Sequence, residues 1–421
     1  MLKRLCLIIC LGLFATSPSR AGEAGELAAE ALYSGDLEGG IARLEPLAAD
    51  DQEAKFGLGL IRFVTAVEGF AQALHRHGFT APDGGPMMGR PLALPVPVNP
   101  DPEPLTYEKL RTFLQQLVDT LDEARPVLLE AGASGDYVVP IEPLKIRIDV
   151  DGDGRATEAE SIGVIVGTIA GMATIPRPTD PGAPPPSRPP EPQVTIGFDR
   201  ADAIWLAGYS EVLAAQADFL LAHNFERMVQ ATFHRIFPRA GLPMQDFVTA
   251  TGSLMLDPQS DNAIADALAL IHELSWPVVE PDRLRRVLTR LRHVTELSRR
   301  NWDAILAETD DDHELLPNPS QTGPNPEAKI TDAQVAAWRA TLDTADQILD
   351  GTLLVPHWRF QKGFDLEAYF DTATRTDLVM LITGYDALPY LKDGPIASAQ
   401  SFGEANRVFG DALIGYAFWF N

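Results

Sequence analysis

Apolar residues recur at intervals of three and four over most of the chain. Between Gly22 and about Gly78 they fall at Leu27, Ala31 and Leu32, and again at Phe56, Leu60, Phe63, Val67, Phe70 and Leu74, the period of helices buried along one side. From Tyr107 to Glu130 the stripe is Leu110, Phe113, Leu114, Leu117 and Leu121. Further on, Asp199 reads as the N-cap of a helix over residues 200–237. Pro281 reads as the first-turn proline of another over 282–306, and the chain looks helical to about Asp350. No series of alternating positions marks a β-barrel or a βαβ unit. The fold class expected is mainly α, a multi-helix bundle with long proline-rich loops.

The interruptions divide the chain. Eight prolines between Pro82 and Pro104 rule out regular structure there and imply an extended surface loop. A second run, PRPTDPGAPPPSRPPEPQ from Pro176 to Gln193, reads as a polyproline linker or lid. Five stretches result: 1–21, a helical region 22–135, a segment 136–175, the linker 176–193 and a second helical region 194–421. Within 136–175, SIGVIVGTIAGMATI places Gly163, Gly167 and Gly171 four apart. Each glycine inside a helix costs roughly 1 kcal/mol relative to alanine, so three on one face fit a core helix crossed closely by another. Residues 162–175 are too few to span a bilayer. The last 72 residues hold 13 of the 33 aromatic residues, ending in GYAFWFN, and are expected to dock into the core.

The first 21 residues carry Lys3 and Arg4, an apolar run from Leu5 to Ala15, and Ser19-Arg20-Ala21, the pattern of a secretory signal peptide cut after Ala21. The apolar run falls short of the roughly 20 residues a span needs, so the mature chain is expected to have no transmembrane segment. Both cysteines, Cys6 and Cys10, lie inside it, leaving no thiol for a disulfide or a nucleophile. Removing Lys3, Arg4 and Arg20 takes the formal charge from -25 to -28. A surface so negative repels nucleic acid and anionic lipid, and suits a compartment rich in divalent ions. The expected location is periplasmic or secreted. Arginine outnumbers lysine 27 to 7, in keeping with a GC-rich bacterial genome.

Residues 148–161 read IDVDGDGRATEAES, with five acids and two glycines in fourteen positions. Like charges at that density destabilise a fold unless a cation neutralises them. The spacing resembles the EF-hand calcium loop: Asp149, Asp151 and Asp153 stand at positions 1, 3 and 5, Gly154 at 6, Arg155 at 7 and Glu160 at 12. The resemblance implies three aspartates converging on the ion, the Arg155 carbonyl as a ligand, Thr157 or water at position 9, and Glu160 closing the shell. It covers twelve residues and departs from the family outside them. The preceding VVPIEPLKIRI reads as extended rather than helical, and Ala156 replaces the usual aliphatic residue at position 8. DPQSDNAIADAL at Asp257 has Leu268 where a closing glutamate would stand, so no second loop exists. A lone half-hand implies structural calcium rather than a switch. A weaker resemblance to a single tetratricopeptide repeat at residues 32–51 has no second copy about 34 residues on, so an ordinary helical hairpin is expected.

Other chemistry leaves little trace. The eight histidines form no HExxH and no i, i+4 pair; on one continuous helix His223 and His234 would stand roughly 16 Å apart. No GxSxG, GxxxxGK[ST] or complete GxGxxG occurs. AETDDDHELLPNP, Ala307 to Pro319, is expected as a solvated loop, the rival readings being a second cation site or a catalytic carboxylate cluster. The helix 282–306 carries seven arginines, read as pairing with the chain's own carboxylates rather than with an anionic ligand or acidic partner. The expectation is an exported calcium-binding protein acting as a binding or scaffold protein of a bacterial envelope, whose partners are calcium and an envelope protein or polymer. The alternative is an envelope hydrolase or lyase on carbohydrate or peptide with a carboxylate-based site. A cleft with converging carboxylates and an arginine would favour the enzyme, and a closed bundle with a broad apolar surface the binder.

Overall fold

The structure, a computed structural model, describes residues 21–81, 96–165, 194–245, 251–311, 313–323, 329–411 and 413–420. It is mainly α-helical, as the periodicity predicts. Helices α1 (Glu23–Ser34) and α2 (Leu37–Leu44) form the expected ordinary hairpin. Gly35 ends α1 in the left-handed region with its N–H on the Ala31 carbonyl, and Asp36 caps α2 by accepting from the Gly39 N–H. Both pack on α3 (Gln52–Arg76), capped by Asp51. Helix α3 lies against α4 (Tyr107–Ala131), α4 against α5 (Arg200–Ala222), and α5 against the arginine-rich helix of residues 281–307. By length and composition α3 would be apolar enough to cross a membrane, but its apolar side is taken up by these neighbours.

The helix expected over 200–237 breaks at His223. Helix α5 stops at Ala222, α6 covers Glu226–Thr232, and a 3-10 turn follows at Phe233–Arg235. Side chains of α4 take the backbone groups that a continuing helix would use. The Tyr107 hydroxyl donates to the His223 carbonyl and accepts from the Phe225 N–H, while the Arg111 guanidinium bonds the Leu221 and His223 carbonyls. His223 Nε2 lies 2.6 Å from Thr376 Oγ1, and His234 Nε2 lies 3.2 Å from Asp266, so the two histidines belong to separate elements with separate partners.

Helix α7 (Pro258–His272) is capped by Asp257, whose carboxylate accepts from the Gln259 and Ser260 N–H groups, and α8 spans Pro281–Ala307. The chain continues with α9 (Asp332–Leu349), α10 (Leu366–Thr372), α11 (Leu378–Thr383), α12 (Ala399–Val408) and α13 (Leu413–Phe420). Three two-stranded antiparallel ribbons connect distant parts: β1 (Val139–Ile141) with β2 (Ile196–Phe198), β3 (Ser275–Pro277) with β5 (Arg375–Asp377), and β4 (Gly363–Phe364) with β6 (Leu391–Lys392). Because Ile141 pairs with Ile196, the acidic loop lies on an excursion of the chain that is clasped at its base by β1 and β2.

One apolar cluster reaches from Ala24 to Phe420. The aromatic tail enters it as expected: Phe420 is fully buried between Trp302, at 4.8 Å between ring centroids, and Trp338, at 5.6 Å. Of the first proline-rich loop, Pro82 to Pro95 lie outside the described residues. Residues 96–105 run as a strap, with the Leu105 N–H on the Ala240 carbonyl and Arg239 holding the carbonyls of Asn99 and Pro100. Residues 162–165 begin a helical turn. The rest of the expected glycine-rich helix, and the linker 176–193, lie outside the described residues.

Candidate metal centre

The segment entering the loop is extended through β1, makes one 3-10 turn at Pro143–Lys145, and reaches Ile148 without a helix. Ile146, Ile148 and Val150 are buried, so the alternation of apolar and acidic residues pins the backbone and turns Asp149 and Asp151 to the other side. The Asp149 carboxylate then organises the turn. Its Oδ1 accepts from the N–H groups of Gly152 (2.8 Å) and Asp153 (3.1 Å), and its Oδ2 from that of Gly154 (2.9 Å). Gly152 and Gly154 sit at φ +74° and +84°, a region unfavourable to a side chain, which explains both glycines.

This curl brings one carboxylate oxygen each of Asp149, Asp151 and Asp153 within 4.8 Å of one another, a group that could hold a metal ion. Three hard oxygens, with Asp149 buried and the other two exposed, suit a hard cation rather than a soft one. Asp151 is held above the usual carboxylate range by burial and by the charges of Glu160, Asp153 and Asp149, a repulsion that a bound cation would reverse. The Arg155 carbonyl accepts no hydrogen bond among the described residues and is open to an ion.

Glu160 stands apart from the three aspartates. Its Oε1 accepts from the N–H groups of Val150 (2.9 Å) and Asp151 (3.4 Å), and its Oε2 from the Thr157 N–H (2.9 Å) and hydroxyl (2.8 Å). The carboxylate closes the loop by tying its two arms together and capping the 3-10 turn Glu158–Glu160. To close a coordination shell with both oxygens it would have to exchange those four donors. The Thr157 hydroxyl is likewise turned to Glu160.

The floor of the site is formed by residues outside the acidic motif. Helix α3 presents Glu68 and Gln72, one turn apart: Glu68 Oε2 accepts from the Asp149 N–H (2.7 Å) and Gln72 Nε2 donates to the Asp149 carbonyl (2.8 Å). The loop is thereby clipped at Asp149 to a long helix packed in the bundle. Burial, then the charges of Asp149 and Glu160, push the Glu68 carboxyl up to about 7. Two polar side chains at i, i+4 in an apolar helix were the available signal.

Ionisable side chains also cluster in two other places among the described residues. Arg290 bonds Asp218 (2.7 Å), Glu211 (2.7 Å) and both oxygens of Asp122 (2.8 and 2.7 Å), while Arg283 bonds Asp218 (2.6 Å) and Gln115 (2.6 Å). Six of the seven arginines of α8 thus pair with the chain's own carboxylates, as expected; Arg292 reaches Asp350 and Glu367, and Arg299 reaches Asp343 and Asp346. Arginine and converging carboxylates do meet, but Arg290, Glu211 and Asp218 are sealed between helices rather than facing a cleft.

The segment 307–319 departs in part from a solvated loop. Glu314 is buried and Glu308 half-buried, against Asp199 and Asp202 at the start of α5. Burial, then the Asp199 charge, pushes Glu308 up to about 9, and burial holds Asp202 well above the usual range. Burial thus favours the neutral form of both carboxyls. A cavity of about 790 Å³ lies elsewhere, lined by small residues such as Ala340 and Thr341 and larger apolar ones such as Ile348 and Phe402, with Glu404 its one charged residue. Comparisons of the chain with protein-family models, with curated proteins and with solved structures return no match, so the loop and its surroundings carry the functional reading by themselves.

Proposed function

We propose that the chain is an exported calcium-binding protein of a bacterial envelope, a binding or scaffold protein whose calcium is structural. The observation that carries this reading is the convergence of Asp149, Asp151 and Asp153 on a turn fixed by two left-handed glycines and clipped to α3 by Glu68 and Gln72. An ion there would neutralise a concentration of negative charge in an acidic chain and stiffen the loop that Glu68 and Gln72 tie to the bundle. Calcium is favoured over magnesium because the donors come from a turn of irregular geometry, which tolerates a large shell better than a strict octahedron. A lone loop with no partner loop and no incoming helix has nothing to open, which supports a structural role.

An ion that binds only the native state adds RT ln(1 + [L]/Kd), about 2.7 kcal/mol at a hundredfold excess over Kd. Thermal melting after chelation, then with calcium or magnesium restored, tests this. Calcium should raise the midpoint more than magnesium, and Asp151→Asn/Asp153→Asn should abolish the rise while Asp310→Asn keeps it. Equal melting of the double variant and the parent in millimolar calcium would remove the metal from the proposal. Export is tested separately by fusing residues 1–21 to a reporter enzyme active only outside the cytoplasm; activity is expected, and a silent, cytoplasmic fusion rejects the location. The hydrolase reading has less support, since the two buried carboxylate groups sit in packed interfaces and do not line the 790 Å³ cavity.

A further inference from the structure

Helix α7 buries none of its residues. It is held by its polar side: Arg235 and His234 bond Asp266, and Arg227 bonds Glu273 at 2.8 Å. At 100° per residue, Asp266 and Glu273 lie about 180° from the stripe of Ile264, Leu268 and Ile271, which is exposed. An amphipathic helix in a closed protein normally does the reverse.

The loop before α7 extends that stripe. Leu254, Met255 and Leu256 are 88%, 79% and 67% exposed. The Asp261 carboxylate accepts from the backbone N–H groups of Leu254 (2.5 Å), Met255 (3.0 Å) and Leu256 (3.1 Å) and from the Ser253 hydroxyl (3.0 Å), fixing the three apolar side chains outward. Asp261 and the N-cap Asp257 fall within about 60° of the same stripe. Their hydrogen bonds hold both carboxyls below the usual range, so both are charged at neutral pH.

The surroundings decide what would cover this ridge. From Ala240 to Asp282 the chain has no lysine or arginine and seven acids, and the two nearest arginines that bond α7 are taken by Asp266 and Glu273. A membrane surface is recognised by lysine, arginine and aromatic side chains, and the described residues 251–273 have none of these. A second copy packed face to face would set Asp257 and Asp261 against their own equivalents. We propose that Leu254–Leu256 and the Ile264/Leu268/Ile271 stripe form a docking surface for an amphipathic helix of another protein, with apolar anchors at i, i+4 and i+7 flanked by lysine or arginine. The apolar side chains supply contact area, and the two carboxylates select a cationic partner and reject an anionic one.

The test uses the full exported chain in calcium and a synthetic fourteen-residue leucine–lysine peptide that forms an amphipathic helix, titrated by calorimetry at 0.15 M salt. Saturable binding is expected, with Leu254→Ser/Met255→Ser/Leu256→Ser and, separately, Leu268→Ser each weakening it at least tenfold. Both keep every charge, and their exposed positions leave folding, checked by circular dichroism, unaffected. Asp257→Asn should weaken binding several-fold, and the matching leucine–glutamate peptide should not bind. Equal binding of the lysine peptide by parent and triple variant, meaning charge attraction alone, would overturn the proposal. So would co-sedimentation with phosphatidylcholine vesicles lost in the triple variant, which makes the ridge a lipid contact. Self-association lost on Leu268→Ser, which makes the occupant a second copy, would overturn it equally.

Discussion

Gly154 has φ +84° and no atom within 4 Å of a Cβ placed on it, so its requirement is conformational and not steric. Gly154→Ala should therefore destabilise the chelated protein by about 1 kcal/mol through left-handed strain alone. Urea denaturation measures it; a variant as stable as the parent would mean that the turn does not need that backbone angle. Glu308 makes a prediction with a definite sign. Its folded pKa, near 9, lies above the ordinary carboxyl value of 4.5, so the native state binds the proton more tightly. Its neutral form is favoured in the fold, and stability is lost as pH rises from about 4.5 through 9. Glu308→Gln should flatten that slope, with Glu68 and Asp202 still contributing to it, and be more stable than the parent at pH 9 by on the order of 2 kcal/mol, a figure discounted for the partial exposure of the group. Denaturant midpoints from pH 5 to 9 decide it, and parallel profiles for the two proteins would refute the assignment.

Among the elements, α8 bears the greatest electrostatic demand. Burial alone would lower the Arg290 pKa, but its bonds to Asp122, Glu211 and Asp218 raise it. Together these groups join α4, α5 and α8. Removing one partner from a buried network strands the others, so Arg290→Met should cost about 3–5 kcal/mol. Arg300→Met on the exposed face of the same helix should stay within about 0.5 kcal/mol. Equal effects in chemical denaturation would show that the burial of the network is immaterial. The arginines were legible as a pattern, and their internal pairing followed from the charge of the chain. Which carboxylates they meet was not legible, because Asp122, Glu211 and Asp218 lie 72 to 168 positions away.

At the scale of the molecule, the last described helix closes the core that the first one opens. The Ser298 hydroxyl donates to the Phe420 carbonyl (3.2 Å) and accepts from Trp338 Nε1 (3.0 Å), while the Phe420 ring fills the space between two tryptophans. Phe420→Ala should cost about 3–5 kcal/mol, read as a fall in the global unfolding midpoint, since it leaves a cavity lined by rigid rings. A separate early transition confined to the tail would show instead that the C-terminal helices fold apart from the bundle.

The helical class, the hairpin of α1 and α2, the aromatic docking and the position of the acidic loop were determined by local pattern: periodicity, caps and glycine spacing depend on residues within about a turn of one another. Tertiary structure decided the rest. The helix over 200–237 was broken by Tyr107 and Arg111, more than a hundred positions earlier, because a helix ends where its carbonyls find better partners. Glu308 and Glu314 left solvent because the start of α5 packs over them. Glu68 and Gln72 joined the acidic loop because β1 and β2 clasp the excursion beside α3. Glu160 turned to the loop's own N–H groups rather than to the aspartates. Local sequence specifies which groups a backbone turn can present; which groups meet across the chain is set by the burial of apolar faces, and that is a property of the whole fold.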